Sequence, residues 1–143
     1  MEGFPFVHRE RVRFNDLDGL AHVNNAVFAT YLENARIAFL GLRSFESMIL
    51  ARLELDFRSP VELGEEVEIG VRPSRIGTKS FELEYELRVG ERLVAEAKTV
   101  LVAYDYSAGQ SVELPPGLRE TLEAAVSRTR SPGPSGGRRR ARP

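Results

Sequence analysis

Four stretches in the middle of the chain alternate apolar and charged residues with period two. Leu53, Leu55 and Phe57 alternate with Glu54 and Asp56. Val67, Ile69 and Val71 alternate with Glu66, Glu68 and Arg72. Phe81, Leu83, Tyr85 and Leu87 alternate with Glu82, Glu84, Glu86 and Arg88. Beyond Val89-Gly90-Glu91 the period continues at Ala95, Ala97, Thr99, Leu101 and Ala103. One apolar and one charged face per segment predicts antiparallel strands packed on one side and wetted on the other. Leu63-Gly64 and Gly77-Thr78 mark the other turns. Near the start, residues 6–14 (FVHRERVRF) end in an apolar alternation at Val12 and Phe14, which predicts one earlier strand.

Between that strand and the four others the period changes. Ala26, Val27, Phe28, Tyr31, Leu32, Ala35, Ile37, Ala38, Phe39 and Leu40 cover more than one face of a helix. So wide an apolar arc predicts a helix buried on most sides. Asn24 or Asn25 opens it as a favoured N-cap, and Gly41 stops it. Glu33 and Arg36 stand three apart and are expected to pair on the remaining polar face. Pro115-Pro116-Gly117 ends the sheet region, and Leu118–Val126 reads as a short final helix. A strand, a long apolar helix and four strands give an α+β class, with a long central helix wrapped by a curved antiparallel sheet of about five strands.

Composition narrows the setting. The chain has 143 residues, enough for one domain and short for two. No apolar run reaches the length of a bilayer-spanning helix, and the start lacks the basic and apolar regions of a signal peptide. No membrane partner is therefore expected. With no cysteine, disulfides, thiol nucleophiles and cysteine metal sites are excluded, which fits the cytoplasm. The net charge of −1 hides an asymmetry. Residues 127–143 (SRTRSPGPSGGRRRARP) hold six Arg and no acid, leaving 14 basic against 21 acidic residues in the remainder. The expected division is a domain over residues 1–126 and a basic, disordered tail over 127–143. An acidic body offers nucleic acid no patch, so the tail reads as a solvated extension.

The segment DLDGLAHVNN, residues 16–25, carries the chemistry. It sets two carboxylates, Asp16 and Asp18, just before a helix whose first N–H groups have no intrahelical partner and whose end carries roughly half a positive charge. A carboxylate there can cap the helix. It can instead face a substrate whose carbonyl oxygen takes those N–H groups, and then serve as base or nucleophile. Spacing alone favours the cap. Other chemistries lack their motifs: there is no G-x-S-x-G elbow, no P-loop or dinucleotide fingerprint, and two His without Cys make a poor metal site.

A resemblance separates the two readings. Val12–Arg36, VRFNDLDGLAHVNNAVFATYLENAR, resembles the signature of the hotdog-fold acyl-CoA thioesterases, in the branch named for 4-hydroxybenzoyl-CoA thioesterase. Phe57-Arg58-Ser59-Pro60, Leu63-Gly64-Glu65 and Ser74–Phe81 resemble that family's later strands and turns. The likeness spans roughly Arg9 to Tyr104. It implies a central helix wrapped by a sheet, protomers joined edge to edge in a homodimer or homotetramer, and an active site at the dimer interface. It implies hydrolysis of an acyl-CoA, whose thioester is already activated, so that no cofactor is needed.

The resemblance places the catalytic carboxylate at Asp18 and the N–H that holds the thioester carbonyl at Asn25. It puts CoA along Gly77, Thr78, Lys79 and Ser80, with Lys79 a candidate for a CoA phosphate. His22 is a turn or helix-start contact near the substrate. Phe57, with Phe28 and Tyr31, is a candidate to shape the acyl pocket. Asp16 is expected to hold the turn or an Arg, and Asn24 to cap the helix. Many members carry Gly before the His where this chain has Ala21; a positive φ there would strain Ala, and Gly19 is the candidate to supply the freedom instead. The alternatives are an acyl-carrier-protein thioesterase and a non-catalytic acyl-CoA-binding protein of the same fold.

Overall fold

A computed structural model describes residues 1–130. The strands are β1 (Phe6–Arg11), β2 (Met48–Phe57), β3 (Glu66–Ile76), β4 (Ser80–Val89), β5 (Arg92–Asp105) and a two-residue β6 (Gln110–Ser111). The helices are α1 (Asn25–Leu40), the single-turn α2 (Leu42–Phe45) and α3 (Pro116–Arg130). Five strands form one antiparallel sheet in the order β1-β3-β4-β5-β2, and β6 adds to β5. This is the expected α+β hotdog arrangement.

The alternation read from the chain sets which face is dry. Val67, Ile69 and Val71 of β3, then Phe81, Leu83, Tyr85 and Leu87 of β4, are buried, while the intervening charges line the other face. On that outer face Arg72 pairs with Glu84 at 2.9 Å and Arg9 with Glu68 at 2.8 Å. Such exposed pairs contribute little each. The stability rests on the inner face, against which α1 lays Phe28, Tyr31, Leu32 and Ala35. The second support is α3, whose Leu118, Leu122 and Ala125 are buried.

Several boundaries and contacts differ from expectation. β1 ends at Arg11, and Phe14 opens a single 3-10 turn (Phe14–Asp16) with 76% of its surface exposed. The apolar alternation there was accidental: Val12 is buried, but Phe14 is not. Helix α1 is buried along one stripe at spacings of three and four, while Ala26 and Ala38 are exposed. Its broad apolar arc is not enclosed by the described residues. Glu33 and Arg36 form no ion pair, because the Arg36 side chain turns inward to the Tyr85 hydroxyl. The final helix runs from Pro116 to Arg130, past the expected boundary at residue 126. The rest of the predicted basic tail, residues 131–143, lies outside the described residues. Among the described residues no helix is long and apolar enough to cross a membrane.

The sheet has two unlike edges. β1 lies at one end, beneath α1, with Phe6 stacked on Phe39 at 5.3 Å between ring centroids. β2 lies at the other and, among the described residues, is hydrogen-bonded only on its β5 side. Leu50, Leu53 and Phe57 of β2 are each about two-fifths exposed.

Candidate active site

Two nested turns connect β1 to α1. The inner one is built on Asp16. Its carboxylate accepts the Arg13 backbone N–H at 2.9 Å, the Arg13 guanidinium at 3.2 Å and the Tyr31 hydroxyl at 2.7 Å. Its own carbonyl accepts the Asn24 N–H at 2.8 Å. Burial pushes the Asp16 carboxyl up, but these donors outweigh it and hold the group below the ordinary range. Burial, then the Asp16 charge, push the Tyr31 hydroxyl up. Asp16 is thus almost wholly buried and saturated, a structural anchor tying the turn to the helix.

The outer turn is Asp18–His22, closed by an antiparallel bridge between Leu17 and Val23. The Asp18 N–H donates to the His22 carbonyl at 2.7 Å, and the Ala21 N–H to the Asp18 carbonyl at 3.1 Å. Asp18 Oδ1 accepts the Leu20 N–H at 2.8 Å and the His22 N–H at 3.2 Å. These donors, Leu20 first, hold the carboxyl below its ordinary value. Oδ2 accepts no hydrogen bond among the described residues. One oxygen therefore shapes the turn and the other is uncommitted among the described residues.

Ala21 takes φ +65°, and Gly19 does not take a positive φ. The freedom expected from Gly19 is thus not used. The tight turn demands the left-handed conformation at the residue before the His, and Ala bears it at a cost of about 1–2 kcal/mol.

Helix α1 starts beside this turn. The Asn24 side chain accepts the Ala26 N–H at 2.9 Å and the Asn24 carbonyl accepts the Val27 N–H at 2.9 Å. Asn24 is the cap, so capping does not occupy Asp18. The Asn25 N–H between them has no partner among the described residues. Asp18, His22, Val23, Asn25 and Phe28 then line one open cleft of about 310 Å³ with Phe57, Arg58, Ser59 and Pro60 from the end of β2. Phe28 and Phe57 meet edge-on at 5.3 Å. The cleft holds an ionised carboxylate, a free N–H at a positive helix end and an aromatic wall. A polarisable carbonyl with an apolar substituent fits that set.

Five of the predicted residues, Asp18, His22, Asn25, Phe28 and Phe57, come together here, while Tyr31 lies behind them with its hydroxyl on Asp16. Gly77, Thr78, Lys79 and Ser80 do not line this cleft. They form the β3–β4 turn, where the Gly77 N–H donates to the Ser80 carbonyl at 2.7 Å and the Gly77 carbonyl accepts Arg119 at 2.7 Å. Sequence reading passed over Val23, the apolar residue wedged between His22 and Asn24, and gave Arg58 no role. The step from Phe57 to Arg58, where the β2 alternation stops, is the signal that marks the cleft wall. Among the described residues no group of three or more His, Cys, Asp or Glu side chains could hold a metal ion.

Known proteins share this fold and sequence pattern. Residues 12–122 match the model of the thioesterase-like superfamily. A 1,4-dihydroxy-2-naphthoyl-CoA hydrolase of Nostoc punctiforme is 30% identical over 82% of this chain and 86% of its own length. A chloroplastic acyl-acyl carrier protein thioesterase of Arabidopsis thaliana is 29% identical over 76% of this chain and 63% of its own. Among solved structures, a thioesterase of Thermus thermophilus, crystallised with coenzyme A and Zn, superposes with a TM-score of 0.80 at 38% identity. That match covers 90% of this chain and 98% of the other.

Proposed function

The chain belongs to the thioesterase-like superfamily, and on that premise we propose that it hydrolyses an acyl-CoA thioester to free CoA and a carboxylic acid. The observation that carries the reading is the pairing of a free carboxylate oxygen, Asp18 Oδ2, with the free Asn25 N–H in one cleft. The thioester carbonyl oxygen accepts the Asn25 N–H, where the helix end favours the negative charge that grows on attack. Asp18 then has two routes. Its Oδ2 attacks the carbonyl carbon, the C–S bond breaks with CoA leaving as thiolate, and water hydrolyses the resulting anhydride. Or it takes a proton from the water that attacks directly. The free Oδ2 is open to either route. His22 and Phe57 flank the reacting group. The reading needs no cofactor.

The β2 edge supports a homodimer built by pairing β2 with its copy, and from it a tetramer. Among the described residues the strand has free backbone groups on one side and exposes Leu50, Leu53 and Phe57. A long apolar edge left open is a liability that proteins normally cover. In such a dimer the β3–β4 turn, with Lys79, is the candidate to meet the CoA of a neighbouring cleft. A cytoplasmic site of action fits a CoA substrate and a chain without cysteine.

The deciding assay is thiol release from a panel of short, long and aromatic acyl-CoAs, for the wild type and Asp18→Asn side by side. Turnover lost in the variant supports the reading. An Asp18→Asn protein of near-full activity refutes the role of Asp18, and a wild type inactive on every CoA ester refutes the substrate class. The specific second reading is a carrier-protein thioester, given the likeness to the Arabidopsis enzyme; the same acyl groups presented on acyl carrier protein test it.

A further inference from the structure

The two walls of the Asp18 cleft are held by different means. On one side the Asp18 turn and the start of α1 are fixed by their own short-range hydrogen bonds. On the other, Arg58, Ser59 and Pro60 lie beyond the last rung of the β2–β5 ladder, Phe57 opposite Ala95. The Arg58 and Ser59 N–H groups share one acceptor, the Val94 carbonyl, at 2.9 and 3.3 Å. The second of these is longer than the ordinary N–H···O range. Backbone bonding alone therefore holds this wall loosely.

A side chain completes the support. Arg92, the first residue of β5, donates Nη2 to the Pro60 carbonyl at 3.2 Å and to the two Glu65 carboxylate oxygens at 3.0 and 3.2 Å. Glu65 Oε1 also accepts the Glu62 N–H at 2.8 Å, which closes the loop 60–65 on itself. The same loop grips both ends of the segment that carries the aspartates. The Glu65 carbonyl accepts the Val12 N–H at 3.0 Å, and the Val61 carbonyl accepts the Val23 N–H at 2.8 Å. The ion pairs on the outer face of the sheet, such as Arg72–Glu84, tie strands that their ladders already join. Arg92–Glu65 differs, because it fastens a loop to a strand and extends to the backbone of the cleft wall.

We propose that Arg92, through Glu65 and the Pro60 carbonyl, fixes the distance between the two walls and so sets which acyl groups the cleft admits. This rests on the thioesterase reading and names a residue that governs its choice of substrate. Arg92 is a positioning residue: it does not line the cleft, and its partners are neither Asp18 nor Asn25. Its loss slackens the Pro60 wall and leaves the reacting groups in place, which changes KM at nearly constant kcat.

The test compares the wild type, Arg92→Gln, Arg92→Lys and Glu65→Gln, with Arg9→Gln as a control that removes an exposed pair on the outer face of the sheet. Each is assayed on acetyl-, hexanoyl-, benzoyl- and phenylacetyl-CoA, and amide hydrogen exchange is followed without ligand. Arg92→Gln is expected to raise KM for the preferred ester about 5-fold, the equivalent of one net hydrogen bond of about 1 kcal/mol. It is expected to narrow the spread of kcat/KM across the four esters by a similar factor and to hold kcat. Exchange at the Arg58 and Ser59 amides is expected to quicken more than exchange in the buried strand β4. Arg92→Lys should restore part of each effect. Glu65→Gln keeps an acceptor for the Glu62 N–H but loses the charge, and should fall between. Arg9→Gln should match the wild type. An unchanged KM in Arg92→Gln, or unchanged exchange at Arg58 and Ser59, overturns the proposal. So does an equal effect in Arg9→Gln, or a uniform loss of kcat on all four esters. Should Arg92→Gln not fold, Glu65→Gln decides on the same readouts. If the wild type turns over no ester, the hydrolysis reading fails, and exchange at Arg58 and Ser59 still decides whether Arg92 holds the wall.

Discussion

The inner and outer turns before α1 use the same residue type for opposite ends. Asp16 is buried, both its oxygens are engaged, and its partners come from the turn and from Tyr31 of the helix. Asp18, two residues on, is only partly covered, commits one oxygen to its own loop and leaves the other in the cleft. Both carboxylates are held below their ordinary pKa by hydrogen bonds. A depressed pKa alone therefore does not mark the functional acid. On the proposed reading, the unused lone pairs beside an unused N–H do.

The sharpest way to break this contrast is to substitute each aspartate and read activity and stability together. Asp18→Asn keeps an oxygen for the Leu20 and His22 loop N–H groups, so its melting temperature should stay close to wild type. Its kcat should nevertheless fall about 10²–10⁴-fold, the usual contribution of a positioned acid–base group. Asp16→Ala should do the reverse. It strands the buried Tyr31 hydroxyl and the Arg13 N–H, and should lower stability by about 3 kcal/mol in urea unfolding. The fraction that stays folded should retain a substantial kcat.

Acid titration sharpens the contrast further. Asp16 has a folded pKa below its unfolded value of about 3.8. Its stabilising contribution is therefore complete above that value and is lost as pH falls through the lower, folded one. Urea midpoints below about pH 4 should fall more steeply for the wild type than for Asp16→Asn. Over the same range kcat/KM should hold from neutral pH down past the ordinary carboxylate value, then fall as Asp18 gains its proton. The smallest effect belongs to the loop backbone. Ala21→Gly removes left-handed strain but frees the unfolded chain, and should stabilise by less than about 1 kcal/mol, with kcat/KM unchanged.

Much of this was readable in the chain because the relevant forces are local. Strand alternation is a matter of which face meets water, and it held along β4 to Leu87 and along β5 from Thr99 to Ala103, while β3 breaks it at the buried Gly70 and β5 at the adjacent buried Val94 and Ala95. The Asn24 cap follows from hydrogen bonds that span two residues. The failures came where long-range packing decided. Helical spacing makes Glu33 and Arg36 neighbours, but it does not say that Arg36 will turn under the helix toward Tyr85, 49 residues away. Residue type favours Gly19 for a positive φ, yet the hydrogen bonds to Asp18 and His22 put it at Ala21. The opening of β2, Met48-Ile49-Leu50-Ala51, lacks the alternation that betrays the rest of the strand, because it passes from a buried residue to an open edge.

That open edge has one more consequence. If two copies pair through it, as proposed, a strand that is wet when alone and dry when paired makes the amount of protein a control variable. Subunits joined by β2 separate on dilution by mass action, and each then carries only half of any pocket shared across the seam. Specific activity would not be a constant of such a molecule. It would fall with dilution, recover on concentration, and set a threshold of expression below which the cell holds folded protein with little activity.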